Sequence, residues 1–203
     1  MLNLLKLFLL ALFLVVHCLG PASPALSQAA KAKTGGTKKQ QQASASAPEI
    51  RYGTDRLPTA VMDMREAILA AVRSGRIEDL RHAYELNELK PELAEHPVTD
   101  PVAHWKQVSG DGEGREILAV LAQILDAGYV TLPLGRDIEN NKIYIWPYFA
   151  EMPLDKLTPS QEVELLRLVT PAAAKEMKVL GKYTYWRIAI GADGTWHALR
   201  KGL

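Results

Sequence analysis

Cysteine is almost missing from this chain of 203 residues, with Cys18 the single example. Past residue 18 the sequence therefore excludes disulfide staples, zinc–thiolate centres and a cysteine nucleophile together. Histidine is sparse, and His82, His96, His104 and His197 never recur three or four residues apart, so no helical zinc pattern forms. The serines lack both the Gly-x-Ser-x-Gly elbow and a Ser-x-x-Lys pair. Acidic side chains are absent before Glu49, and no apolar run reaches the roughly 20 residues needed to span a bilayer.

What is there first is a short apolar run. Lys6 precedes an unbroken stretch from Leu7 to Val16, Gly20-Pro21 stops it, and Ser27-Gln28-Ala29 supplies small residues. That order reads as a signal peptide over 1–29, cut after Ala29 with Ala25 as second choice. From Leu7 to Leu19 there are 13 residues, too few for an anchor. His17 stands where lipidation of Cys18 would need a small residue. The expected location is periplasmic or secreted, with no transmembrane segment left after processing.

Residues 30–49 contain no aromatic and, before Glu49, no aliphatic side chain larger than alanine, so they read as a disordered linker. Lys31, Lys33, Lys38 and Lys39 give it four positive charges, enough for a weak contact with an anionic surface. From Ile50 onward 19 basic residues face 22 acidic ones. That mildly acidic balance argues against a nucleic-acid partner. Residues 50–203 have the length of one globular domain.

Periodicity sets the expected fold. Val61, Met64, Ile68 and Val72 mark a helix stopped near Gly75, and Ile77, Leu80 and Tyr84 mark a short second one. A further helical piece falls around Val102 to Gln107. Ile117, Leu118, Leu121, Ile124 and Leu125 form a broad stripe on a helix from Arg115 to Ala127, which Gly128 is expected to close. Strand-like runs follow at Tyr129–Leu132 and Lys142–Trp146, with a polar turn through Asp137, Asn140 and Asn141 between them. Thr158-Pro159-Ser160-Gln161 and Thr170-Pro171 then open two helices, the second stopped by Gly181. Tyr183–Ile190 and Thr195–Leu199 flank a Gly191-Ala192-Asp193-Gly194 turn, with Tyr183, Tyr185, Arg187 and Ala189 expected on a partly covered face. The sum is α+β: N-terminal helices, then a small, mainly antiparallel sheet with an inserted helical pair and a C-terminal β-hairpin.

Three places could carry chemistry. Ser109-Gly110-Asp111-Gly112-Glu113-Gly114 runs into a helix as an anion cradle would, but its two acids repel phosphate and are too few for calcium, so it reads as a plain helix-start loop. Trp146, Tyr148, Glu151 and Asp155 gather aromatics and acids. They read either as core packing or as an aromatic platform with a polar anchor for a glycan or peptide, and Glu151 with Asp155 could be an acid/base pair for glycan cleavage. Trp186, Trp196 and His197 offer the same choice and read as core. No cofactor and no metal is expected.

The runs Ser109–Glu116, Ile143–Glu151 and Tyr183–His197, ending Gly191-Ala192-Asp193-Gly194-Thr195-Trp196-His197, resemble a family of uncharacterised exported alphaproteobacterial proteins. The likeness runs from about Leu57 to the end and implies export and a shared domain, with no activity attached. The first helix pair and last hairpin are also similar to the nuclear-transport-factor-like fold, which would run its strands without the inserted helices. The function expected is a non-enzymatic envelope binding or interaction module with an envelope protein or glycan as partner; the alternative is the glycan-directed enzyme.

Overall fold

The computed structural model describes residues 48–135 and 141–202. The segment read as a signal peptide, its expected cut after Ala29, Lys31, Lys33, Lys38 and Lys39, and the turn residues Asp137 and Asn140 lie outside them. Among the described residues no helix is long and apolar enough to cross a membrane.

The fold is α+β. Helix α1 (Thr59–Ser74) buries Val61, Met64, Ile68 and Ala71 on one stripe and ends at Gly75, whose φ of 67° gives the left-handed cap. A 3-10 turn (Ile77–Asp79) passes directly into α2 (Leu80–Glu85), so the chain folds back on α1. Helix α3 (Pro101–Val108) is capped by Asp100, and α4 (Arg115–Asp126) buries six apolar residues. Arg65 of α1 donates to the Leu125 carbonyl at 3.1 Å, tying the two long helices together.

The sheet is an antiparallel meander, β1 (Val130–Pro133), β2 (Lys142–Trp146), β3 (Trp186–Gly191) and β4 (Trp196–Lys201), in that spatial order. Pairs include Val130 with Ile145, Trp146 with Ile188, and Ile188 with Leu199; a register shift follows Ala189. Both edges are partly covered: Arg51 bridges to Tyr129 beside β1, and Glu92 bridges to Ala198 on β4. Pro133 on the edge strand β1 further limits pairing with another chain.

A 3-10 turn (Tyr148–Glu151), α5 (Pro159–Leu168) and α6 (Pro171–Leu180) are inserted between β2 and β3. The capping box at Thr158 and Gln161 is present in full, and Thr170 accepts from the Ala173 N–H. Phe149, Leu154, Leu165, Met177 and Tyr183 bury this insert.

Two sequence expectations are corrected. Helix α4 ends at Asp126 with Ala127 extended, and Gly128 is not a left-handed stop. It is glycine for space: a Cβ there would stand 2.8 Å from the Tyr52 ring and 2.9 Å from the Tyr148 ring. Strand β3 starts at Trp186, and Tyr183 lies before it, its hydroxyl donating to the Trp186 carbonyl at 3.1 Å. Phe149, with ring centroid 6.2 Å away, holds Tyr183 in the core, so it does not belong to a half-covered strand face.

The loop before α4 supplies its own anion. The Asp111 carboxylate accepts from the Ser109 hydroxyl and, at 3.0–3.2 Å, from the N–H groups of Glu113, Gly114 and Arg115. The donors a phosphate would use are taken, which fits the plain reading of this loop. The Ser109 hydroxyl above all, then the loop N–H groups, holds the Asp111 carboxyl below its ordinary value of 3.8. Asp100, through the Ala103 N–H first, and Asp193, through the Thr195 N–H first, are lowered likewise. A carboxyl depressed in the folded state stabilises it above the unfolded value, and that contribution is lost as pH falls through the folded one. Melting temperature should therefore hold from neutrality to about pH 4 and fall below it. Asp111→Asn should flatten part of that fall, and a melting temperature constant down to about pH 2.5 would refute it.

Candidate functional site: the cleft between helices α4 and α5

The aromatics that the sequence offered as a platform are core. Trp146 is 1% exposed and Tyr148 0%, because β2 is an interior strand and the chain turns inward after Pro147. Tyr129 and Tyr144 pack on Trp146, with ring centroids 5.0 and 6.4 Å away, and Phe149 lies 4.1 Å from Tyr148. Glu151 is half-buried and accepts from Arg187 Nη1 at 3.1 Å. Asp155 is exposed. The shallow depression of about 410 Å³ beside Glu151 is lined by neither aromatic nor by Asp155. The aromatic platform is thus corrected, because burial removes the Trp146 and Tyr148 rings from any ligand, while Glu151 is engaged by Arg187.

One of the four reaches a different place. The hydroxyl of Tyr148, buried and without a hydrogen-bond partner among the described residues, belongs to a group of side chains behind the cleft between α4 and α5. The cleft, of about 520 Å³, is walled by Ala122, Gln123 and Asp126 of α4, by Gly128, by Glu164, Arg167 and Leu168 of α5, and by Tyr52.

Backbone pairing puts Tyr52 there. Arg51 and Tyr129 exchange two backbone hydrogen bonds at 2.8 Å, which lays the first residues of the domain along the start of β1. Tyr52 then lies over Gly128, edge-on to Tyr148 at 6.4 Å and 71°. Its hydroxyl donates to the Glu164 carboxylate, 3.0 Å from each oxygen. The ring stays open to solvent at 58% exposure. Beside it Arg167 and Asp126, both exposed, pair at 3.0 Å across the two helices.

Electrostatics keep the two phenols neutral. Burial, reinforced by the negative charge of Glu164, pushes the Tyr148 hydroxyl far above its ordinary value of 10.0. Tyr52 is raised too, by burial first and then by its bond to Glu164. Neither can act as a phenolate base near neutral pH. Both remain hydrogen-bond donors. Among the described residues no three His, Cys, Asp or Glu side chains stand close enough to hold a metal ion. The arrangement can bind polar, hydroxyl-bearing molecules through the Tyr52 hydroxyl and the Glu164 carboxylate.

Comparison of the chain with protein-family models, with curated proteins and with solved structures returns no match. The geometry of the cleft therefore carries the functional argument by itself.

Sequence reasoning missed Tyr52, Gln123, Asp126, Glu164 and Arg167. They lie on three segments up to 115 positions apart in the chain, and none sits in a motif. The only local trace was Gly128, read as a helix stop when its smallness serves two tyrosine rings.

Proposed function

We propose that this chain is an exported cell-envelope protein that acts as a non-enzymatic binding module, and that it holds a glycan in the cleft between α4 and α5. Export rests on the signal-like first 29 residues, on a mature sequence free of cysteine, and on the resemblance to exported alphaproteobacterial proteins. The observation that carries the ligand class is the open Tyr52 ring, fixed by Glu164 at 3.0 Å at the mouth of a cleft walled by Gln123, Asp126 and Arg167. A fixed flat ring suits the C–H face of a sugar. Planar amide, carboxylate and guanidinium groups suit its hydroxyls, because they donate and accept in defined directions. Tyr52 is anchored before ligand arrives, so less side-chain entropy is lost on binding.

Titration of the protein recovered from the cell envelope with oligosaccharides of envelope glycan should give saturable binding without cleavage. Tyr52→Ala and Glu164→Gln should each weaken it at least tenfold, about 1.4 kcal/mol. Both positions are at the surface, so melting should shift little. Equal binding by both variants would end the assignment of the cleft. Release of shorter sugars would end the non-enzymatic reading. Cell fractionation tests location, and recovery of the whole chain in the cytoplasm would contradict export.

A further inference from the structure

At the free ends of the hairpin the sheet sets cations beside one another. Arg187 of β3 stands directly opposite Arg200 of β4, and Lys201 follows. Like charges facing across a strand pair destabilise it unless they are compensated. Compensation here is thin: Arg187 has Glu151 at 3.1 Å, and Arg200 has the well-exposed Glu92 at 3.5 Å. Arg187 Nε is buried and makes no hydrogen bond among the described residues, and Arg200 Nε, also buried, faces only the Glu92 carboxylate at 3.5 Å. A buried donor without a full hydrogen bond is costly, so the two guanidinium groups are under-compensated.

Beside Arg200 lies a cleft of about 300 Å³ between α3 and the end of the hairpin. Leu93, Val108 and the nearly buried Trp186 give it an apolar floor. Arg200, Lys201 and His104 stand around it, with Glu95 its one acidic side chain. Lys201 Nζ lies 5.5 Å from the centre of the Trp186 ring, so its charge is held over the floor.

We propose that this second cleft binds a small amphiphilic carboxylate, its carboxyl group on Arg200 and Lys201 and its hydrocarbon body against Leu93, Val108 and Trp186. The guanidinium fork of Arg200 matches the two oxygens of a carboxylate. The apolar floor selects against an anion with no body. The volume is at the lower end of small-molecule sites, so the fit is to a chain or ring of modest size. The site is separate from the glycan cleft and does not depend on it.

Titration of the envelope-derived protein with decanoate, followed by Trp fluorescence and by calorimetry, tests the assignment. Saturable 1:1 binding in the micromolar to low-millimolar range is expected. Arg200→Gln and Lys201→Gln should each weaken it at least fivefold, and Val108→Asp should abolish it. Lys201 is exposed, so its replacement keeps the test valid even if Arg200→Gln unfolds. Arg73→Gln, which removes one positive charge from α1, should leave binding unchanged. Three results would overturn the proposal: no saturation by decanoate, equal binding by Lys201→Gln and the parent, or inorganic phosphate binding as tightly as decanoate.

Discussion

Replacing Trp196 by alanine should cost the folded state about 3–5 kcal/mol, the usual range for deleting a large buried ring. Trp196 is fully buried and lies parallel to Trp105, with centroids 6.2 Å apart and planes 10° apart. Tyr84 meets the other indole edge-on at 6.1 Å. This column joins α2, α3 and β4. The Trp196 N–H groups are satisfied as well: Nε1 donates to the Ala198 carbonyl at 2.9 Å, and the backbone N–H donates to Asn87 Oδ1 at 2.7 Å. Asn87, itself buried, returns its amide to the Ala83 and Tyr84 carbonyls. Alanine at 196 would leave a cavity beside Trp105 that the sheet on one side and α3 on the other cannot close. Guanidinium unfolding monitored by circular dichroism should show a large fall in midpoint with little change in slope. Leu166→Ala on the exposed side of α5 should stay within about 0.5 kcal/mol. A loss at Trp196 below about 1 kcal/mol would mean that the column is not a principal support.

Gly114→Ala should destabilise the fold by roughly 2–4 kcal/mol, the sum of two separate penalties. Gly114 has a φ of 82°, which places a Cβ against the following carbonyl. In addition that Cβ would lie 2.6 Å from Ile77 Cγ1 and 2.7 Å from Ile77 Cβ. Ile77 is fully buried between the helices and cannot withdraw. Gly112, with a φ of 67° and nothing within 4 Å of where a Cβ would stand, separates the two penalties. Gly112→Ala should show the conformational cost alone, about 1–2 kcal/mol. The difference between the two variants, read by thermal or denaturant unfolding, measures the close approach of the α4 start to the 3-10 turn. Equal losses at the two glycines would show that Ile77 exerts no steric demand.

Secondary structure was well marked in the chain because its signals are local. Thr158-Pro159-Ser160-Gln161 and Thr170-Pro171 carry their own caps, and α5 and α6 start where those caps place them. The 3.6-residue stripe from Ile117 to Leu125 can bury itself in only one way, so α4 was plain as well. Strand limits were less secure. Tyr183 has the composition of a strand residue but turns inward to Phe149 and Trp186, a choice made by distant neighbours.

The candidate sites depended still more on distance along the chain. Trp146, Tyr148, Glu151 and Asp155 were close in sequence, yet the sheet buried the first two and Arg187 engaged the third. Tyr52 and Glu164 are 112 positions apart and meet at 3.0 Å. Nothing in the neighbourhood of either announces the other. Arg187 and Arg200 face each other only because the hairpin register sets them so.

By itself the sequence determined the α+β class, the N-terminal caps of α5 and α6, the absence of thiol chemistry after residue 18 and the unsuitability of the acidic loop before α4 for phosphate, all of which follow from residue type and short spacing. The tertiary structure decided which aromatics are covered, which acids find partners and where clefts open, because those depend on packing between segments that the chain order leaves far apart.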